Sequence, residues 1–113
     1  MDIHGDTVRL TIYIGENDRF HGKPLHEAIV YRAKEDGLAG ATVLHGVLGY
    51  GKASTVHMAR ILRLSEDLPV TIDIVDERER IESFLPFVES TVTNGLVTMQ
   101  ATQVVLYRHK ESV

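Results

Sequence analysis

The run Gly46-Val47-Leu48-Gly49-Tyr50-Gly51-Lys52 gathers the residue types from which an anion site is built. Glycines let a backbone take φ > 0 or approach another group closely, so several amides can point at one ligand. Lys52 then supplies the first full positive charge after a long uncharged run. A β-strand that ends in a bulge and a flexible hairpin, with Lys52 solvated at its edge, has the same local composition. Continued to Ala53, the run matches the spacing of a Walker A phosphate loop up to its last place. There the magnesium-binding Ser or Thr is replaced by Ala53, and Ser54 comes one residue late. A P-loop hydrolase also needs a parallel sheet and more chain than this, so the match is read as coincidence. Phosphate binding by the glycine amides stays open.

Six histidines (His4, His21, His26, His45, His57 and His109) raise the question of a metal. No two of them stand three or four apart, the spacing that puts two ligands on one helix face, so a metal site would need assembly across subunits. His45, inside a strand, reads as a packed or interfacial histidine. With no cysteine among 113 residues, disulfides, thiolate catalysis and zinc–thiolate sites are excluded. Serines and carboxylates are scattered, and nothing pairs a nucleophile with a base, so no catalytic residue is assigned. The formal net charge of −4 argues against nucleic acid, because phosphate contacts need a basic face. No apolar run approaches the ~20 residues of a transmembrane helix. The acidic start, Met1-Asp2-Ile3-His4-Gly5-Asp6, is unlike a signal peptide, which makes a cytoplasmic protein the expectation.

These residues must be positioned by a small set of elements in one domain over residues 1–113. Val8, Leu10, Ile12 and Ile14 alternate with Thr7, Arg9, Thr11 and Tyr13, the period of a strand with one face buried. After a polar loop, Pro24 opens a helix in which Leu25, Ala28, Ile29 and Ala33 share a face, and Glu35-Asp36-Gly37 stops it. A second strand starts at the turn residue Gly40. Within Lys52 to Asp67, Ser54 is a candidate N-cap for a short helix carrying Val56, Ala59, Ile61, Leu62 and Leu64. Val70, Ile72 and Ile74 alternate with Thr71, Asp73 and Val75 as a third strand. Asp76 and Glu79 have the form of a capping box ahead of Ile81, Phe84, Leu85 and Val88. Pro86 should kink this second helix or shift its start. Asn94-Gly95 is a turn, and Leu96 to Tyr107 reads as a long fourth strand ending in Arg108-His109-Lys110.

The order β-α-β-β-α-β predicts an α+β, ferredoxin-like sandwich: a four-stranded antiparallel sheet with both helices on one face. An RNA-recognition module would need aromatics on the two central strands to stack bases. The third strand has none, and the first offers only Tyr13. Both alternating sets are substantially apolar on the fourth strand (Val97, Met99, Ala101 and Val105 against Leu96, Val104 and Leu106), and the second is similar. A solvated sheet face is normally polar, so the uncovered face is expected to pack on other subunits as a homotrimer.

Gly22-Lys23-Pro24-Leu25, Gly40-Ala41-Thr42-Val43, Gly46 through Gly51, Leu64 to Pro69 with Val75-Asp76, and Gly95-Leu96-Val97-Thr98 together resemble the PII-like signalling proteins. Among these the resemblance is to domain-of-unknown-function family 190, over nearly the whole chain. It implies a trimer that binds adenine nucleotides between subunits and signals through the long loop after the second strand. Gly49-Tyr50-Gly51-Lys52 is similar to the Gly-Phe-Gly-Arg with which PII proteins open that loop. Thr42 is similar to the threonine of their Gly-Met-Thr run near the adenine. Arg108 and Lys110 resemble the basic pair that reaches phosphate from a neighbouring subunit.

One departure is that the glycine-rich, lysine-containing loop before the last PII strand is reduced here to Thr91 through Leu96, which keeps Gly95 and no lysine. AMP or ADP is therefore expected over ATP, with no covalently bound cofactor. The tyrosine that PII proteins offer for uridylylation has no match. The resemblance implies a non-enzymatic regulator. Family members are often encoded near fluoride exporters, which makes a membrane transporter the candidate protein partner. Two other readings use the same fold: a small enzyme acting on a phosphorylated metabolite in the same cleft, and a CutA-like trimeric metal-binding protein.

Overall fold

The computed structural model describes residues 5–51, 57–58 (backbone only) and 67–110. Four strands form one antiparallel sheet: β1 (Thr7–Gly15), β4 (Thr42–His45), β7 (Pro69–Glu77) and β8 (Leu96–Ala101), in the order β4-β7-β1-β8. Two short pairs flank it. β2 (Arg19–Phe20) pairs with β3 (Lys23–Pro24), and β5 (Leu48–Gly49) pairs with β6 (His57–Met58). Helices α1 (Leu25–Glu35) and α2 (Arg78–Thr91) complete the fold.

The alternation in β1 and β7 is what builds the core. Register pairs Leu10 with Ile74, Ile12 with Ile72 and Ile14 with Val70, and directly paired residues point to one face. All six are buried, together with Leu25, Ile29 and Ala33 of α1 and Ile81, Phe84 and Val88 of α2. Both helices therefore cover the same face, as the ferredoxin-like order requires. α1 follows Pro24, which serves as its N-cap residue. It ends at Gly37, whose φ of +79° lets the Leu38 amide turn back to the Ala33 carbonyl at 3.0 Å.

Several boundaries differ from expectation. The capping box does not form: Asp76 still belongs to β7, and Glu77 precedes α2 without a side-chain cap bond. The Asp76 carboxylate accepts instead from the amides of Glu77, at 2.7 Å, and Ala39, at 2.9 Å. α2 runs through Pro86, which lies on the exposed face, where water can replace the amide that the Glu82 carbonyl loses. The last strand stops at Ala101 rather than Tyr107. Ala101 pairs with Val8 and the Thr102 amide reaches the Thr7 carbonyl, so β1 has no backbone left to offer beyond that point. The short helix expected in 52–67 is replaced at His57–Met58 by β6, and its remaining residues lie outside the described ones.

The face away from the helices is mixed. Leu44 and Leu96 are exposed there, while the centre carries Arg9, Thr11 and Asp73. On β8, Val97 and Met99 pair with Ile12 and Leu10 and so point toward the helix side, yet remain exposed because that edge extends past the helical layer. Among the described residues, no helix is long and apolar enough to cross a membrane.

Candidate functional site

Thr42 opens β4 and pairs with Asp73 in β7. Beside them the chain makes an open groove of about 700 Å³, walled by residues 39–42, Asp73, Val75 and the segment 102–107 that follows β8. That segment leaves β1 at Thr7, where the Thr7 hydroxyl donates to the Thr102 carbonyl. It ends where the Tyr107 hydroxyl donates to the Ala39 carbonyl at 3.2 Å. The same Ala39 gives its amide to the fully buried carboxylate of Asp76. The backbone entering β4 is thus held from both sides.

The polar centre of the groove is Asp73. Arg9 donates to it through Nε at 3.1 Å and through its terminal nitrogen at 2.9 Å, and Thr11 Oγ1 donates at 2.7 Å. The Arg9 hydrogen bond, opposed by desolvation and aided by Thr11, holds the Asp73 carboxyl below the usual carboxylate range. The guanidinium is raised by the same bond. An ionised carboxylate among hydroxyls and apolar walls, with no Lys or Arg lining the groove among the described residues, suits the uncharged, hydrogen-bond-donating part of a ligand.

The glycines of the 46–51 run have a different neighbour. The Gly46 amide donates to the Pro69 carbonyl at 2.7 Å, and a Cβ at Gly46 or Gly49 would stand 2.6 or 2.9 Å from Pro69 Cγ. Neither takes a positive φ. Close packing over Pro69 is therefore what demands glycine at both. The strand breaks at Gly46–Val47 and resumes as β5, the bulge-and-hairpin form of the run. Tyr50 is 75% exposed and Gly51 is exposed, while Lys52 lies outside the described residues. Gly95 is also packed: a Cβ there would collide with the Tyr13 carbonyl oxygen. Arg108 and Lys110 are exposed, just beyond Tyr107.

The site residues read from the sequence, Lys52 apart, therefore fall into two groups among the described residues. Thr42 and the segment leading to Arg108 and Lys110 share the groove. Gly49 and Gly95 sit at the other end of the sheet, near Pro69 and the Tyr13 end of β1, with Tyr50 and Gly51 following Gly49. The length of β4, about 10 Å from Thr42 to His45, keeps the groups apart within one chain. Sequence reasoning missed Asp73, Asp76 and Tyr107. Asp73 was legible only as a polar residue on the outward face of a strand, and Tyr107 was hidden inside an expected strand.

His45 packs its ring edge-on to that of His26, with centroids 5.7 Å apart, and its Nδ1 lies 3.9 Å from Glu16 Oε1. His26 Nδ1 is buried without a hydrogen-bond partner among the described residues. Among the described residues, no three metal-ligating side chains come together as a metal site.

The model of family DUF190, described as "Uncharacterized ACR, COG1993", matches residues 7–104. A UPF0166 protein of Aquifex aeolicus (strain VF5) is 38% identical over 96 residues, covering 85% of this chain and 90% of that protein. One from Methanocaldococcus jannaschii is 39% identical over 89 residues, covering 78% and 82%. Among solved structures, CPII of Thiomonas intermedia K12 bound to ADP and bicarbonate superposes with a TM-score of 0.58 at 21% identity, over 88% of this chain and 89% of that one. A second structure of CPII, a nitrogen regulatory PII-like protein, bound to ADP, AMP and bicarbonate, gives 0.59 at 18%, over 92% and 98%. The GlnK–ATP complex of B. subtilis gives 0.53 at 14%, over 89% and 85%. At these identities the likeness establishes the fold. The chain belongs to the DUF190 (UPF0166) family, and its fold is that of the PII-like proteins.

Proposed function

We propose that this chain is a non-enzymatic, PII-like regulator, a homotrimer that binds AMP or ADP in preference to ATP in clefts between neighbouring copies. The observation that carries this reading is the groove beside Thr42, on a fold whose solved neighbours include proteins bound to ADP and AMP. The division of the site residues supports a shared cleft. One chain offers Thr42, Asp73 and the segment leading to Arg108 and Lys110. A neighbour's Gly49-to-Lys52 run and Gly95 would complete it from the far end of its own sheet. Exposed Leu44 and Leu96 supply apolar surface for such packing. The segment after β4 is the signalling element, read by a protein target such as a membrane transporter.

A thermal-shift screen with AMP, ADP, ATP and cyclic nucleotides tests the ligand, since a ligand that binds only the folded state stabilises it by RT ln(1 + [L]/Kd). AMP or ADP should raise Tm more than ATP at equal concentration, and no shift with any nucleotide would refute the reading. Incubation of AMP, ADP and ATP with purified protein should leave them unchanged, whereas turnover would favour an enzyme.

A further inference from the structure

The segment after β8 is an unusual wall for a binding groove. It runs from Thr7 on β1 to Ala39 at the foot of β4, passing Val75 and Asp73 of β7 between them. Beyond Thr102, the Tyr107–Ala39 hydrogen bond is the one that ties residues 103–110 to the body among the described residues. The stretch between is thinly packed: Val104 is half-buried, but Val105 is 91% exposed and Leu106 is 65% exposed. The acceptor, by contrast, is stationary. The Ala39 amide is bound to Asp76, a carboxylate with no exposure to water, so the Ala39 carbonyl belongs to backbone anchored just ahead of β4. A wall hinged at Thr102 and fastened at its far end through one hydroxyl can open without disturbing the core.

We propose that residues 102–110 form a strap that gates the groove, with Tyr107 as a positioning residue whose hydroxyl latches the strap to Ala39. This rests on the nucleotide reading above. With the latch closed, the strap forms the outer wall around the ligand, and Arg108 and Lys110, next along the chain, are held at the β4 end of the groove. With it open, the groove loses that wall and the two cations lose their fixed position. Tyr107 acts through the placement of the strap, and its ring flanks the groove.

The test compares the wild-type protein with Tyr107→Phe, which keeps the ring and removes the latch. The site is on the surface, so the variant should fold. Without ligand, 15N relaxation of amides 103–107 should match that of α1 in the wild type and show added fast motion in Tyr107→Phe. Identical relaxation in the two proteins would overturn the latch. In calorimetry with AMP, Tyr107→Phe should weaken binding about two- to tenfold, the size expected from one neutral hydrogen bond. Stopped-flow should place most of that loss in faster release. Arg108→Ala should cost less affinity in the Tyr107→Phe background than alone, because a loose strap no longer places the guanidinium. Fully independent effects would overturn the positioning role. If the wild type takes up neither AMP nor ADP, the nucleotide reading fails, and the latch then stands or falls by the relaxation comparison.

Discussion

A methyl group added at Gly95 would run into the Tyr13 carbonyl oxygen and stand 3.1 Å from Val92 Cγ1 and 3.2 Å from Ile14 Cγ2. The oxygen is backbone in a central strand and cannot yield. Gly95→Ala should therefore lower stability by about 1–3 kcal/mol, the usual cost of forcing extra volume into a packed site, as read by urea denaturation. A glycine serving ligand alone would leave the denaturation midpoint unchanged. Asp73 makes a second test. Its carboxyl is held below the usual range in the folded chain, chiefly by the Arg9 hydrogen bond. Stability from this group is therefore fully present above the ordinary carboxylate range and is lost as pH falls through the lower folded value. Asp73→Asn should flatten that part of the acid limb below about pH 4. An unchanged pH profile would show that the pair contributes nothing measurable, as exposed pairs often do.

Pro86 sits inside α2 without ending it. A proline there removes one intrahelical hydrogen bond, and Pro86→Ala should raise stability by about 1–3 kcal/mol, seen as a higher Tm with unchanged helix boundaries by NMR. A fall in Tm would mean that the ring packs in a way the exposed face does not suggest. Elements such as α2 were legible because burial follows period: Ile81, Phe84 and Val88 on the helix, and Val8, Leu10, Ile12 and Ile14 on β1, point inward as their spacing dictates. What failed were features set by distant partners. β8 stops at Ala101 because β1 starts at Thr7, and Asp76 serves Ala39 rather than its own helix. The run of glycines was legible as a place of close approach, but its neighbour, Pro69, lies far along the chain, on the strand beyond the intervening segment. The groove was half legible. Thr42 was found by resemblance, whereas Asp73 and Tyr107 become site residues only once the chain has folded them together.

At the level of assembly, the exposed Leu44, Leu96, Val97 and Met99 lie on the two edge strands of the sheet, the positions that a closed ring of copies would cover. Light scattering coupled to size exclusion should give three times the chain mass at micromolar concentration, and a monomer would remove both the trimer and the shared cleft. Hydrogen exchange over residues 51–63 should then show protection gained with AMP or ADP, and equal protection without ligand would rule out a nucleotide-driven response there. The Arg9–Asp73–Thr11 cluster bears on how such a ring closes. Desolvating a lone charge is expensive, and an incoming surface would ordinarily have to bring a counter-charge to the same spot. Here guanidinium, carboxylate and hydroxyl already satisfy one another within the chain, so the middle of the face arrives self-neutralised. A visiting copy is then sorted by shape and by the apolar rim, and high salt should loosen the ring far less than a ring held by charges reaching across its seams.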